Sequence, residues 1–486
     1  MDALPSLKRN YLLNMLVTGS NIVFPLAVLA FAARVLGPSS LGAFYFAAGL
    51  ATYFLAIAAG AIPFYGIREF GRLRGDRPAM ERLAGELTVL NLTLSLFAMV
   101  IYTAVVFATP RFRAELPMFL VVGTMLPLQA LSVDYIFQGL EEYGGIARRS
   151  LASKAATLAL LLIFVRGPGD ELAYAAIFAA SGILSCGLGW LSLRRKIRLG
   201  FKGLDLRRHM APLAPLLAFF LIASVYLNLD SVLLGILSTQ SEVGLYSIGV
   251  KTTRMGLTMI GAGSLSLMPR LAYFHEQSRH EEHSALEAKA LEWIMFLASG
   301  SAMVLIFGAP ALMPFFFGPG FRDSASTVQI TAPNILVVSL SGFLGIRILL
   351  SMGKESLFVW GTLAGAVTSL GLGILLVPRM GHAGSAIAWV CSETLAFAIL
   401  IFLSRRHGIR VPFFTARNGV YPLCALLIAV PAALAAHIKG PASPAVLAAL
   451  AAGSLLYLAA LARLRPELVK ELRSMAEKLV RKVRGN

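Results

Sequence analysis

The sequence predicts an all-α membrane protein, a polytopic bundle of about 14 transmembrane helices. Three observations predict it. The 486 residues are 57% hydrophobic and only 14% charged, with mean hydropathy +0.75, so a soluble fold would have too little polar surface to face water. Apolar runs of about 20 residues, the length that crosses a hydrocarbon core as a helix, recur from end to end. These runs are continuous and not alternating, which selects helices over a closed barrel, the other way of satisfying a backbone in lipid.

The expected spans are 11–35, 41–64, 86–109, 117–139, 150–166 and 173–193, then 213–237, 245–270, 289–309, 325–350, 356–378, 384–404, 418–438 and 444–463. Lys8 and Arg9 precede the first run. No A-x-A site follows a short apolar core, so an uncleaved first helix is expected. Asn14 and Asn21 make that helix partly polar, and Pro25 can bend it by removing a backbone hydrogen bond. The turn Gly37-Pro38-Ser39-Ser40 separates it from span 2. Spans 3 to 6 are set off by Arg68–Arg82, Arg111 with Arg113, Arg148 with Arg149, and Gly167-Pro168-Gly169-Asp170. A basic connection carrying Arg194, Arg195, Lys196, Arg198, Lys202, Arg207 and Arg208 precedes span 7. After span 14 the tail is amphipathic. Leu468, Leu472, Met475, Leu479 and Val483 recur at helical spacing between Lys470, Arg473, Lys478, Arg481 and Lys482, a pattern suited to an anionic leaflet.

The net charge of +18 is mostly topology. Lys and Arg fall in alternate connections, roughly 32 against 7, which places both termini in the cytoplasm. Nucleic-acid binding is therefore not expected. Cys186, Cys391 and Cys424 lie in separate apolar runs and read as small core residues, with no metal spacing and no disulfide framework. The segment His275-Glu276-Gln277-Ser278-Arg279-His280-Glu281-Glu282-His283 lacks the HExxH order and reads as a solvated helix. No P-loop is present, so neither a metal nor a nucleotide cofactor is expected.

The chain repeats internally. Val35-Leu36-Gly37-Pro38-Ser39-Ser40-Leu41-Gly42-Ala43-Phe44-Tyr45 joins spans 1 and 2 as Ile236-Leu237-Ser238-Thr239-Gln240-Ser241-Glu242-Val243-Gly244-Leu245-Tyr246 joins spans 7 and 8. Leu131-Ser132-Val133-Asp134-Tyr135-Ile136-Phe137-Gln138-Gly139 ends span 4, and Leu344-Gly345-Ile346-Arg347-Ile348-Leu349-Leu350-Ser351-Met352 ends span 10. A weaker match pairs 169–175, opening span 6, with 381–387, opening span 12. A shift of six spans, an even number, implies two parallel repeats about an axis along the membrane normal. The expected organisation is an N-terminal six-helix lobe (1–193), a cytoplasmic linker (194–212) and a C-terminal six-helix lobe (213–404). Two additional helices (405–463) and the amphipathic tail (464–486) follow.

Six, six and two spans with parallel halves resemble the multidrug/oligosaccharidyl-lipid/polysaccharide exporter superfamily. Arg34-Val35-Leu36-Gly37 with Leu41-Gly42, Phe137-Gln138-Gly139-Leu140-Glu141, Asn228-Leu229-Asp230, Gly244-Leu245-Tyr246-Ser247 and Phe317-Gly318-Pro319-Gly320-Phe321 are similar to its polysaccharide branch, the Wzx or O-antigen flippases. The resemblance covers nearly the whole chain. It implies movement of an undecaprenyl-type diphosphate-linked oligosaccharide from the inner to the outer leaflet of the cell inner membrane. It also implies coupling to H⁺ or Na⁺ and contact with other polysaccharide assembly proteins.

Charges inside a bilayer cost at least about 2.5–3.5 kcal/mol at a helix centre, so they are the candidate functional groups. Lys251 and Arg254 lie three residues apart on one face of span 8, Arg254 roughly 15 Å below the outer surface. Arg suits a diphosphate because its planar fork donates two hydrogen bonds at once. Pairing of both cations with an acid such as Asp230 is the structural alternative. Asn14 and Asn21 are candidate substrate contacts on a cavity wall, or simple interhelical packing groups. Asp230, beside Asn228, and Glu393 are candidate ion-coupling acids, or partners for an Arg. Asp134 and Arg347 hold matching repeat positions with opposite charge. They form a candidate gate pair, closed when the cytoplasmic side is closed, or else serve unrelated local partners. No catalytic residue is expected. The alternatives kept open are a multidrug or cation antiporter of the same superfamily, a flippase for lipid-linked peptidoglycan precursor, and a polysaccharide polymerase or ligase.

Overall fold

The computed structural model describes residues 7–467 apart from 60, 266–272, 275, 276, 278, 351, 410 and 414; for 7–23, 259, 261–265, 280 and 355 it describes the backbone alone. The amphipathic tail, from 468 onward, lies outside the described residues, as does part of the 275–283 segment. The described residues form helices and connections, with no strand among them. The chain divides into two compact units, 1–244 and 245–486.

In the first unit, α1 (Leu7–Ala59) is broken at Gly37, whose φ of 77° and ψ of 179° are non-helical. A straight helix of that length would run about 80 Å, more than twice a hydrocarbon core. The positive φ is one that glycine adopts freely, and it divides α1 into the two spans expected. Then come α2 (Ile62–Arg72), α3 (Arg77–Ala108), the short α4 (Pro110–Arg113), and a span in pieces: α5 (Leu116–Gly123), α6 (Met125–Ala130) and α7 (Asp134–Gly139). The unit continues with α8 (Tyr143–Phe164), α9 (Glu171–Leu193) and α10 (Arg207–Leu237), and α11 (Gln240–Leu265) begins at its end.

Breaking a span frees backbone carbonyls that lipid cannot satisfy. Neighbouring side chains take them here. The Asn91 amide donates to Gln129 O at 3.2 Å, Trp190 Nε1 to Leu131 O at 2.8 Å and the Tyr102 hydroxyl to Phe119 O at 2.7 Å. The Cys186 thiol, 3.5 Å from Leu128 O, does the same more weakly. Cys186 is half-buried and Cys424 buried, as small packing residues should be; Cys391 is instead exposed.

Helix α10 is held at both ends. At its base, buried Glu86 of α3 accepts from Arg82, Arg208 and the Asp205 amide. His209 Nε2 lies 3.0 Å from Glu86 and His209 Nδ1 lies 2.8 Å from the Tyr65 hydroxyl. The ring thus stands between the carboxylate and the phenol, with Arg208 Nε 3.3 Å from Nε2 as well. The basic linker is laid along α3, with Gly200 N donating to Glu81 O at 2.8 Å and Arg198 N to the Glu81 carboxylate at 3.3 Å. At the other end of α10, Gly235 leaves room for Phe46: a Cβ there would stand 2.1 Å from its ring. Between these anchors Phe219, Ile222 and Leu227 are exposed. By packing, α10 sides with residues 1–244, whereas the sequence repeat makes it kin to the span that opens the chain.

The two repeat-related turns meet. A Cβ on Gly42 would lie 1.7 Å from Gln240 O, and a Cβ on Gly244 would lie 1.9 Å from Pro38 O. With Gly42 aligned on Gly244, Pro38 aligns on Gln240, so each turn presents its glycine to the other's carbonyl. The contact is an approximate two-fold written into the sequence.

The second unit holds most of α11, then α12 (His280–Phe317), which ends at Gly318 with φ 90°. A span of α13 (Ser324–Thr331) and α14 (Asn334–Gly342) follows, bent by 43° and finished by a π-helical turn at Phe343–Leu349. It occupies the repeat position of the broken α5–α7 span. Helix α15 (Glu355–Arg406) is non-helical at Gly381, φ 53°. A Cβ on Gly384 would stand 2.6 Å from Leu376 O, a distance that only a reversed chain allows. Helices α16 (Ala416–Lys439) and α17 (Pro444–Leu464) pack backbone to backbone at Gly453, 2.8 Å from Ile428 Cα for an added Cβ. Nine helices among the described residues are long and apolar enough to cross a membrane, or ten with the bent pair. Two of these, α1 and α15, each contain two passes. With α8 and α11, whose charged residues lower their hydropathy, the count is the 14 expected.

Candidate functional site

Helix α11 is pinned by one face. Thr253, fully buried, shares a 2.8 Å hydrogen bond with Thr331 of α13, and a Cβ on Gly249 would lie 2.6 Å from the Thr327 side chain. Lys251 is rotated by about 200° from Thr253 at 100° per residue and its side chain is exposed. Arg254, half-buried, extends over Trp389 of α15, its guanidinium carbon 5.3 Å from the ring centroid. The same indole donates from Nε1 to the Glu393 carboxylate one turn further on, at 3.2 Å. Lys251 and Arg254 are close enough for their charges to act on one another.

The second unit thus brings together Arg254 and Glu393, two residues that the sequence offered for different roles, and joins them through a tryptophan that sequence reasoning missed. The available signal was the Trp389-x-x-x-Glu393 spacing, which puts both side chains on one helix face. Chemically, a guanidinium resting on an aromatic face presents its N–H donors in the ring-parallel plane, the edge-on geometry in which a phosphate accepts. Fourteen residues into α11, Arg254 stands about 21 Å along the helix, at membrane depth. Trp389→Leu, which removes the ring face, should weaken binding of inorganic pyrophosphate roughly 2- to 30-fold, the 0.5–2 kcal/mol of a cation–π contact. Trp389→Phe should recover part of it. Titration of the purified protein with pyrophosphate reads this out.

The other candidates fall elsewhere. Asp230 is buried at 7% exposure in α10 and acts electrostatically on Tyr53 of α1. Asn228 is occupied within its own helix, donating to Ser224 O at 3.1 Å. Asp134, at the start of α7, accepts from Arg149 of α8 at 2.7 Å, and Arg149 also lies over the Phe137 ring at 4.4 Å. Arg149 is a local partner of the kind kept open as the alternative for Asp134. Arg347 is buried in the π-helical turn, 6.0 Å from the Phe343 ring centroid. Asn14 and Asn21 lie on α1, where side chains are outside the described residues. In the 275–283 segment, Arg279 pairs with Glu282, and His283 lies 3.6 Å from Glu287. No cluster of three or more metal-ligating side chains occurs among the described residues.

The family model described as "Polysaccharide biosynthesis protein" matches residues 7–275. The chain belongs to that family. Two relatives carry the name "Putative O-antigen transporter". One, from Escherichia coli strain K12, is 22% identical over 419 residues, 84% of this chain and 98% of that one. The other, from Shigella dysenteriae, is 24% identical over 410 residues, 82% and 99% of the two chains. In fold, the chain is similar to the lipid II flippase MurJ in an inward closed conformation, with TM-score 0.72, 13% identity and coverage of 94% and 100%. It is also similar to an inward-facing multidrug resistance transporter of the MATE family, with TM-score 0.65, 15% identity and coverage of 79% and 93%. The protein is therefore a multi-pass membrane protein with the fold of that transporter superfamily.

Proposed function

We propose that this protein is a flippase that moves a polyprenyl-diphosphate-linked oligosaccharide from the cytoplasmic to the outer leaflet of the inner membrane, by alternating access and without chemical conversion of its cargo. The observation that carries the reading is Arg254 seated on Trp389 beside Lys251, a cationic, phosphate-compatible face at membrane depth. The family membership and the names of the two relatives support the cargo class. Lys251 and Arg254 would hold the diphosphate while the lipid tail stays in the bilayer. Asn14 and Asn21 would line the sugar's path. Asp230 and Glu393 would carry the coupling ion, H⁺ or Na⁺. The alternate placement of cations puts both termini in the cytoplasm, which makes the meeting point of the Gly42 and Gly244 turns the outer end.

The test is transfer of a labelled lipid-linked oligosaccharide between leaflets of proteoliposomes, with a proton gradient, a sodium gradient or neither. Transfer no faster than in protein-free vesicles sinks the reading. A rate indifferent to both gradients removes the coupling part alone. Asp134 and Arg347 would exchange local contacts for one another when the cytoplasmic side closes. Asp134→Arg and Arg347→Asp should each stop transfer and together restore part of it; a double variant as inactive as the singles argues against the pair.

A further inference from the structure

At the end where the two repeat-related turns meet, a polar cluster gathers around one carboxylate. Glu115 sits between α4 and α5, in the turn after Arg111 and Arg113. Its Oε1 accepts from the side-chain amide of Gln240, the first residue of α11. Arg111 gives Nε to Gly235 O of α10 at 3.0 Å and Nη2 to Ser238 O, just past its end, at 2.8 Å. Glu171, at the start of α9, accepts from Ser40 of α1 at 3.2 Å, and Ser40 is also 2.5 Å from Pro168 O. Glu242 follows Gln240 in the first turn of α11.

Two atoms in this cluster are left over. Glu115 Oε2 and Gln240 Oε1 are both buried, and neither meets a hydrogen-bond partner among the described residues. Both are acceptors when the carboxyl is ionised. They belong to the two side chains already joined by the amide-to-carboxyl hydrogen bond. A carboxylic acid and a primary amide pair as a closed ring of two hydrogen bonds, in which the acid carbonyl accepts N–H and the acid O–H donates to the amide carbonyl. One half of that ring is present, and the two orphaned atoms are the ends of the other half. A single proton on Glu115 Oε2 supplies the missing donor, and it removes a buried negative charge at the same time.

We propose that Glu115 and Gln240 form a proton-binding lock: protonated, the acid–amide ring ties α5 to the first turn of α11 and keeps the Gly42 and Gly244 turns seated; ionised, the ring opens and the turns are free to part. Burial raises the carboxyl pKa of Glu115 and the nearby Glu171 raises it further, while the Gln240 hydrogen bond and Arg111 pull the other way; the net direction is upward. The sign follows. A group that holds its proton more tightly in the locked arrangement stabilises that arrangement at low pH, and the stabilisation is lost as pH rises through the raised pKa. On the alternating-access reading, on which this role in the cycle rests, acid outside the cell favours the state shut toward that side.

The lock is tested without cargo, so its failure is distinct from failure of the transport reading. Val243, fully buried beside the turn, is replaced by cysteine in a background where Cys186, Cys391 and Cys424 are alanine. Alkylation by a neutral thiol reagent is followed from pH 4 to pH 9, and each rate is divided by that of the same protein carrying Glu115→Gln, which cancels the thiol's own titration. The glutamine closes an amide–amide ring at every pH. The expected ratio rises roughly fivefold or more across the range; a flat ratio overturns the lock. Should Glu115→Gln fail to fold, the infrared carboxyl stretch of the native protein decides. A protonated-acid band that shifts in Gln240→Leu supports the ring, and a band unchanged by that substitution overturns it.

Discussion

Arg254→Ala should abolish transfer of lipid-linked oligosaccharide while leaving the protein folded. The guanidinium rests on Trp389 at 5.3 Å, and on the proposed function its loss would remove a charge-assisted, bidentate grip on a diphosphate. Hydrogen bonds to charged groups contribute about 1.5–3 kcal/mol each, so the transfer rate should fall by at least about 100-fold. Arg254→Lys keeps the charge and loses both the fork and the flat stacking face, so it should recover only part of the rate. Lys251→Ala should be milder, because an ammonium is a point charge without the planar, two-donor fork. The same initial-rate measurement in proteoliposomes, with thermal unfolding of each variant as the control for folding, separates these outcomes. An Arg254→Ala protein that transfers cargo at the native rate would remove the cationic face from the mechanism.

Gly42→Val and Gly244→Val should each prevent the shut arrangement of the two turns. The added Cβ would stand 1.7 Å from Gln240 O in the first case and 1.9 Å from Pro38 O in the second. The obstacle is backbone in both, so no side chain can swing aside. Overpacking of this kind costs about 1–3 kcal/mol where neighbours can give, and more where they cannot. We expect a drop in thermal midpoint of several degrees and a transfer rate down by about tenfold or more. Gly371→Ala, at a helical glycine with open space around it, is the control and should be neutral or mildly stabilising. Equal behaviour of all three variants would show that the turns are not closely packed in the working protein.

Much of the fold was legible because membrane spans are written in long apolar runs. The repeat was legible for a related reason: the Pro38/Gly42 and Gln240/Gly244 turns need small residues where backbones cross, and that need leaves a readable pair. The segmentation of span 4 was not. No proline-rich stretch announces breaks after Gly123 and Ala130. They hold because Asn91, Tyr102, Trp190 and Cys186, distant in sequence, take the freed carbonyls. Of the site, Arg254 and Glu393 stood out because charge in lipid is costly. Trp389 did not, since an indole in a membrane helix is unremarkable until a cation is found on its face. Glu115 was missed because it lies in a short polar turn, where carboxylates are ordinarily solvated. Only its burial against Gln240 sets it apart, and burial is a property of the packed chain.

The anchoring of α10 bears on how this molecule can be taken apart. A worker dividing the gene at the charged connection would strip the first fragment of the rod that covers its Phe46 and Glu86, leaving an apolar slot and a buried acid without their mates. Cutting after residue 244 would keep those contacts within one polypeptide, so two separately translated pieces meeting at that junction are the pair to co-produce.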